Sequence, residues 1–208
     1  MPKDKTESHE KIIAAAYDEF LHYGFKDASM RRIAKSCGMS ASGLYKHFSS
    51  KEDMFAALVA PAYDDLINAF YSSMDMDYEN LDDTSIYTAW AGNDEIIWII
   101  EYIYQHFNAF KLLVCHSQGT RYENYVHDIA VLEEESTKRY FSKARELNAS
   151  IRMIPDNEYH LFVTTSINAI FQVVEHDFSE EDAISYAKHL NTFYISGWKS
   201  LLLPEQNA

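Results

Sequence analysis

The chain has 208 residues, of which 47% are hydrophobic, so it is long and apolar enough to bury a core. Its 4 prolines and 6 glycines favour long regular elements, helices before strands, and its formal net charge is −14. Two cysteines form no disulfide framework and residues 1–8 lack the apolar core of a signal peptide, so we expect a cytoplasmic protein.

The first predicted element is a helix over about residues 7–23. Its apolar residues recur at the spacing of one helix face, at Ile13, Ala16, Tyr17, Phe20 and Leu21. Gly24 follows, and glycine ends helices readily because it adopts a positive φ at no steric cost. One amphipathic helix is therefore expected before the next motif.

Residues 28–55 have the pattern of two short helices joined by a tight turn, with a third helix close behind. Ser29 is suited to cap the first helix, Gly38 supplies the turn, and Ser40 caps the second helix, over about residues 41–47. Within that second helix we expect buried Leu44, with Phe48 beside it, and an exposed polar set: Ser42, Gly43, Tyr45, Lys46 and His47. The pattern predicts a helix-turn-helix, in which the second helix offers its N-terminal residues to base edges in the major groove of DNA.

Residues 12–58 resemble the N-terminal signature of the tetracycline-repressor (TetR/AcrR) family of bacterial transcriptional regulators, over roughly a quarter of the chain. The matching residues are Gly24-Phe25, Arg32-Ile33-Ala34, Gly38-Met39-Ser40, Gly43-Leu44-Tyr45, His47-Phe48 and Lys51-Glu52-Asp53-Met54-Phe55. The resemblance implies an all-α protein with an N-terminal three-helix helix-turn-helix DNA-binding domain, residues 1–50. A C-terminal helical ligand-binding and dimerisation domain would cover residues 51–208, and the helix from Lys51 would connect the two.

The expected DNA-binding residues combine the exposed polar set with basic residues around it. They are Ser29, Arg31, Arg32, Ser40, Ser42, Gly43, Tyr45, Lys46, His47 and Lys51. By resemblance, Ser40, Tyr45 and Lys51 would contact phosphates together with Ser42 and His47, and Gly43 would allow close approach. Ser42 and Lys46 are the best candidates for contacts to base edges. Helix-turn-helix geometry also occurs in proteins that do not bind DNA, which is the alternative interpretation.

The negative charge is concentrated outside the predicted DNA-binding domain. Residues 1–55 contain 9 Lys and Arg against 8 Asp and Glu, a net +1, whereas residues 56–208 contain 9 against 24, a net −15. Charges more than about 10 Å apart are screened at ordinary salt. The acidic C-terminal part is therefore compatible with DNA binding by the N-terminal part, although we expect modest non-specific affinity.

The fourth helix is predicted over about residues 51–73, where Ser50 and Asp53 form a cap close to a capping box and Pro61 is expected to bend the helix. Residues 72–95 are the least regular segment and are predicted to form a solvated acidic loop. The alternative is a metal site of Asp75, Asp77 and Glu79, which lacks the glycine and the later glutamate of a calcium loop.

The sequence pattern after residue 95 predicts four more helices. They span about residues 96–117, 121–148, 155–176 and 179–203, with Ser179 as the last cap. Polar residues interrupt the most apolar window, Ile96 to Cys115, so no membrane span is expected.

Aromatic residues are abundant in these helices, and the resemblance implies that they enclose a pocket for a small apolar or amphipathic ligand. The candidates are Trp98, Glu101, Tyr102, Phe110, Tyr122, Tyr125, Phe162 and Phe171. Aromatic residues at helical spacing also form ordinary cores, which is the competing interpretation. Glu101 lies in an apolar stretch, and if buried it would need a basic partner or a cationic ligand.

The last two helices carry apolar and small residues that suit close packing. The resemblance implies that this pair forms a four-helix interface with a second copy, using Leu161, Ala169, Val173, Leu190, Tyr194, Trp198 and Leu201. Leu190 and Trp198 are expected at its centre, and the alternative is a helix pair that only closes the monomer core. A homodimer would match a pseudo-palindromic double-stranded DNA operator.

Catalytic and metal-binding patterns are weak in this sequence. It contains no Gly-rich phosphate loop, nucleophile elbow or Cys-x-x-Cys, so we expect neither an enzyme nor a cofactor. A metal site among His106, His116, His127, His160 and His176 is a disfavoured alternative, so none is predicted. The leading hypothesis is a repressor released from its operator by a small-molecule ligand. The alternative is an architectural or protein-interaction factor that binds DNA but no small ligand.

Overall fold

The computed structural model describes residues 5–79, 95–147 and 150–203. These ranges contain nine α-helices and no strand, which confirms the predicted all-α fold. The helices are α1 (Lys5–Asp27), α2 (Met30–Ser36), α3 (Ala41–Leu44), α4 (Lys51–Glu79), α5 (Glu95–Gln105), α6 (Phe107–His116), α7 (Tyr125–Glu146), α8 (Asp156–Glu175) and α9 (Glu180–Leu202). None of the described helices is both long and apolar enough to span a bilayer.

The chain forms two compact units. The first unit consists of Met1–Asp65 and His106–Asn124, and the second of Leu66–Gln105 and Tyr125–Ala208. Helix α4 contributes to both units, and α6 joins the unit that contains the helix-turn-helix. The first unit is therefore larger than the predicted DNA-binding domain of residues 1–50, whose functional boundary stays a prediction.

The core of the first unit is built on α1. Ile12, Ala16 and Phe20 are completely buried, and the Phe20 ring meets the Phe55 ring edge to face, with centroids 5.1 Å apart. Helix α6 packs along α1. Its buried residues are Phe110, Leu112 and Leu113. The amphipathic stripe of α1 thus finds partners both in the next helices and in a segment about 90 residues further along the chain.

The second unit consists of helices whose apolar stripes face one another. Helix α5 packs on α9, α7 packs on α8, and α8 also contacts α5 and α9. The buried positions on α8 follow the helical period: Tyr159, Val163, Ile167, Ile170, Phe171, Val173 and Val174. Small residues on α9, Ala183 and Ala187, are completely buried and permit close packing.

The structure corrects several predicted boundaries. The helix predicted over residues 96–117 is two helices, because His106 departs from helical geometry at φ −121 and ψ 31 between α5 and α6. Helix α7 begins at Tyr125, after a run of turns at residues 121–124, rather than at residue 121. Helix α3 ends at Leu44, and residues 45–47 form a turn.

Helix α4 differs from its prediction at its C-terminal end. It extends to Glu79 with Pro61 inside it, and so includes the start of the segment predicted as a loop. The rest of that segment, residues 80–94, lies outside the described residues, as do the side chains of the disfavoured metal alternative, Asp75, Asp77 and Glu79.

The turn between α2 and α3 depends on one glycine. Gly38 has φ +70, and an added Cβ would meet no atom within 4 Å, so the backbone conformation is the only obstacle to a side chain. We expect Gly38→Ala to lower the free energy of unfolding by about 1 kcal/mol, because an L-residue is strained at positive φ.

The control for this variant is Ser142→Ala, at an exposed position inside α7. It should raise the free energy of unfolding by up to about 0.5 kcal/mol, because alanine has the higher helix propensity. Urea unfolding measures both variants. A Gly38→Ala protein as stable as the parent would show that the turn carries no strain.

Candidate nucleic-acid interface

A Schellman motif closes α2 and sets the turn that follows it. The Gly38 N–H donates to the Lys35 carbonyl over 3.2 Å, and the Met39 N–H donates to the Ala34 carbonyl over 2.8 Å. Gly38 occupies the left-handed position that this motif requires. The predicted turn is confirmed, and it brings α3 directly after α2.

Helix α3 begins at the predicted cap. The Ser40 side chain accepts a hydrogen bond from the Gly43 N–H at 3.1 Å, and the Ser40 and Ser42 hydroxyls lie 3.1 Å apart. A Cβ on Gly43 would lie 3.2 Å from the Ser40 hydroxyl oxygen. The absence of a side chain at Gly43 therefore also serves the cap itself, in addition to the predicted close approach to DNA.

One side of α3 is buried and the other carries the predicted polar set. Leu44 is completely buried, as expected, and Phe48 is half-buried. The exposed members of the predicted DNA-binding set are Arg31, Arg32, Ser40, Ser42, Tyr45, Lys46 and His47. Tyr45 is 51% exposed although it is a large aromatic residue, which makes its ring available to a partner. This exposed polar surface is the candidate interface.

Arg32 and Ser29 have a different environment from the rest of the predicted set. The Arg32 Nε and Nη2 lie 2.7 and 2.6 Å from Oε1 of Glu19, a carboxylate of α1 that is only 8% exposed. The Ser29 N–H donates to the same oxygen at 2.8 Å, and the Ser29 side chain makes no capping hydrogen bond. Ser29 thus holds the predicted N-cap position of α2, but its side chain makes no capping hydrogen bond, and Glu19 accepts the N–H of Ser29 itself.

Lys51 is half-buried and also interacts within the first unit. Its ammonium donates to the carbonyls of Lys26 (2.9 Å) and Ala28 (3.2 Å) and lies 4.5 Å from the centroid of the Phe25 ring. The ammonium thus caps the C-terminal end of α1, where a positive charge is favoured. A phosphate contact by Lys51 stays a prediction.

The start of α4 is capped as the sequence predicts. The Asp53 N–H donates to the Ser50 hydroxyl at 2.9 Å, and the Ser49 hydroxyl donates to the Asp53 carboxylate. The hydrogen bond from Ser49, followed by those from Ser50, lowers the pKa of Asp53. Its charge is therefore favoured at the N-terminus of α4, which follows the candidate interface along the chain.

The predicted ligand-binding residues are divided between the two units. Phe110 and Tyr122 are buried in the first unit, and the other six belong to the second. Within the second unit, Tyr125 meets Phe171 edge to face at 5.1 Å, and Trp98 stacks on Tyr102 at 5.8 Å. The aromatic residues pair locally, and their role in ligand binding stays a prediction.

Glu101, the predicted polar residue of the ligand site, is not buried. It is exposed, so the argument that a buried carboxylate there would need a basic partner or a cationic ligand does not apply, and its role in ligand binding stays a prediction. In the described ranges no three His, Cys, Asp or Glu side chains are grouped closely enough to hold a metal ion. His160 approaches Glu134 and the His127 ring, whose centroid lies 6.1 Å away.

The predicted dimer residues fall into two groups. Leu161 is 63% exposed and Leu201 is 36% exposed, whereas Ala169, Tyr194 and Trp198 are half-buried. Val173 (1%) and Leu190 (8%) are already buried in their own chain. Little of the Leu190 surface is therefore left for a second copy, and its role as an interface anchor stays a prediction.

Sequence reasoning missed two residues. Phe193 on α9 is 71% exposed, more than any other large hydrophobic residue described, and its i, i+4 spacing from Gly197 signals a shared face. Glu19 is buried on the apolar side of α1, where a lone acid in a hydrophobic stripe is the only signal of its role.

Comparison with known proteins finds similarity to one family in the N-terminal region. Residues 12–58 match the model described as "Bacterial regulatory proteins, tetR family". Among curated proteins, the HTH-type transcriptional regulator UidR of Escherichia coli (strain K12) is 39% identical over 59 residues, which are 28% of this chain and 30% of UidR. The chain thus aligns with about a third of that relative's length.

Solved structures extend the similarity to the whole fold. NalD, the secondary repressor of the MexAB-OprM multidrug efflux pump in Pseudomonas aeruginosa, superposes with a TM-score of 0.58 at 16% identity, over 97% of this chain and 100% of NalD. FadR from Bacillus subtilis, in complex with stearoyl-CoA, gives a TM-score of 0.54 at 13% identity, over 91% and 98% of the two chains. At these identities the similarity shows the shared fold.

Proposed function

We propose that the chain is a DNA-binding transcriptional regulator of the tetR family, because residues 12–58 match that family's model and align with a curated regulator of transcription. The observation that carries the proposal is the exposed polar surface around α3. Tyr45, Lys46 and His47 are exposed directly after a helix whose only buried residue is Leu44. An exposed lysine and an exposed tyrosine at the C-terminal end of α3 supply the kinds of contact to phosphates and base edges that such proteins use.

The second part of the proposal is a homodimer formed by α8 and α9. Leu161 and Phe162 on α8, and Phe193 and Leu201 on α9, leave large apolar side chains exposed within the second unit. Phe193, Gly197 and Leu201 share one face of α9 by their i, i+4 spacing, and a Cβ on Gly197 would meet nothing within 4 Å. A second copy of the same face is self-complementary and would cover these side chains.

The third part is repression that a small apolar or amphipathic ligand relieves. The second unit is rich in aromatic side chains, and a regulator of the same fold, FadR, is solved with stearoyl-CoA. A ligand that binds the DNA-incompetent arrangement better shifts the population toward it by its differential affinity. Because α4 contributes residues to both units, we propose α4 as the element that transmits the change.

The test is enrichment of duplexes from a random-sequence library by the purified protein. We expect a pseudo-palindromic sequence whose half-sites are about one helical turn apart, and release of that duplex by an acyl or aromatic compound found in a thermal-shift screen. Failure to enrich any duplex would contradict the DNA-binding function. Compounds that stabilise the protein yet leave its duplex bound would contradict only the coupling.

A further inference from the structure

Arg31 and Arg32 are neighbours in sequence but have different surroundings. In the described part of the chain, Arg31 is exposed and has neither an ion pair nor a hydrogen bond from its side chain. Arg32 is bound to Glu19, and its Nη2 also donates to the Asp27 carbonyl at 2.7 Å. Consecutive helix positions point about 100° apart, so the two guanidinium groups leave α2 in different directions.

The contacts of Arg32 engage two of its three guanidinium nitrogens, and its side chain is 45% exposed. Nε and Nη2 are both engaged, and the guanidinium carbon lies 4.1 Å from the centroid of the Tyr23 ring, which covers one face of the group. The charge is compensated by Glu19, whose side chain is 8% exposed. This pairing weakens the attraction of the Arg32 guanidinium for a phosphate, because the Glu19 carboxylate compensates its charge.

Glu19 connects α1 to the start of α2 at two points. The same Oε1 atom accepts the backbone N–H of Ser29, which precedes α2, and the side chain of Arg32 in its first turn. Both bonds fix the beginning of α2 relative to α1, and the Schellman motif then fixes α3 relative to α2. Loss of Arg32 would leave a buried carboxylate short of a partner at this junction.

We infer that Arg32 is a positioning residue that sets the orientation of the helix-turn-helix through Glu19, whereas Arg31 contacts the phosphate backbone of DNA. The inference rests on the proposed function and divides two arginines that the sequence alone assigns to the same role. Phosphate contacts release counterions, so they determine how steeply affinity falls with salt; positioning residues change affinity at every salt concentration alike.

The experiment measures the affinity for the enriched duplex over a range of salt concentrations. Arg31→Gln should make the slope of log affinity against log salt less steep by about 0.9 for each subunit that contacts DNA. The double variant Glu19→Gln/Arg32→Gln keeps the parent's net charge, and glutamine at both positions retains a donor and an acceptor. Its slope should equal that of the parent.

The single variant Arg32→Gln tests whether Arg32 positions the helix-turn-helix or only stabilises the fold. Arg32→Gln should weaken binding roughly tenfold at all salt concentrations, at a temperature where circular dichroism shows the protein fully folded. Adding Glu19→Gln should restore most of that loss, because the unpaired carboxylate is then removed.

Three outcomes would overturn the inference. They are a less steep slope in the double variant, an unchanged slope in Arg31→Gln, or an Arg32→Gln loss that Glu19→Gln does not relieve. A parent protein that binds no duplex would contradict the proposed function instead.

Discussion

Replacing Lys46 with alanine is expected to weaken binding to the enriched duplex by at least about tenfold, with no loss of stability. Lys46 is exposed in the turn that follows α3. Its backbone N–H donates a hydrogen bond to the Gly43 carbonyl, and its side chain makes no hydrogen bond or ion pair with the described residues. Its ammonium is therefore available to a phosphate or to a guanine edge, contacts worth roughly 1–3 kcal/mol each. Because a dimer presents the residue twice, the loss applies at both half-sites.

Two substitutions at Tyr45 distinguish a contact to DNA through its hydroxyl from a contact through its ring. Tyr45→Ala should weaken binding by a similar factor, since the ring is 51% exposed and packs little within its own chain. Tyr45→Phe removes only the hydroxyl, so it should reproduce the loss if the hydroxyl binds a phosphate and should bind like the parent if the ring alone makes the contact.

The matched control for Lys46→Ala is Lys188→Ala, which removes one exposed lysine from α9 in the second unit. Electrophoretic mobility shift or fluorescence anisotropy measures affinity, and thermal unfolding checks stability. Parent-like affinity in both Lys46→Ala and Tyr45→Ala would show that the interface lies elsewhere. An equal loss in Lys188→Ala would show that net charge alone determines binding.

Introducing a charge at Phe193 is expected to abolish dimerisation. Phe193→Glu should raise the dimer dissociation constant by at least about 100-fold, or about 2.7 kcal/mol, because a carboxylate would be buried against a copy of itself. The exposed fraction of Phe193, 71%, means that the monomer itself loses little packing. Sedimentation at micromolar concentration should give the parent about twice the chain mass of 24.1 kDa and the variant a mass near 24.1 kDa.

A second exposed phenylalanine provides the control. Phe178 is 40% exposed in the connection between α8 and α9, 15 positions before Phe193, and Phe178→Glu should leave the dimer intact. A dimeric Phe193→Glu protein would exclude this face as the interface. A monomeric parent would refute the homodimer, and with it the two-subunit model of operator binding.

The interface prediction also shows where helical periodicity stops being informative. Val173, Leu190 and Leu161 are all apolar residues of α8 and α9, and the family resemblance assigned all three to one interface. Only the packing of α8 and α9 with each other and with α5 and α7 buries the first two and leaves Leu161 63% exposed. A broad apolar stripe on a helix can pack against two partners, the helices of its own chain and a second copy. The spacing of the residues alone does not show which of them contacts which partner.

Local signals determined most of the helix-turn-helix. The caps at Ser40, Ser50 and Ser179 and the turn at Gly38 were predicted because each involves residues within about one helical turn of one another. For the same reason the α-helical class and most helix starts follow from the sequence. The break at His106 was missed because no glycine or proline marks it.

The tertiary structure decided which charged residues are free to act. Arg31 and Arg32 are identical in type and adjacent, and the difference between them comes from Glu19, 13 positions before Arg32 on another helix. Glu101 lies in an apolar run yet is exposed, whereas Glu19, on the apolar stripe of α1, is buried with its partners. Burial and pairing depend on which helices meet in space, and that information resides in contacts between distant parts of the chain rather than in the spacing within any one helix.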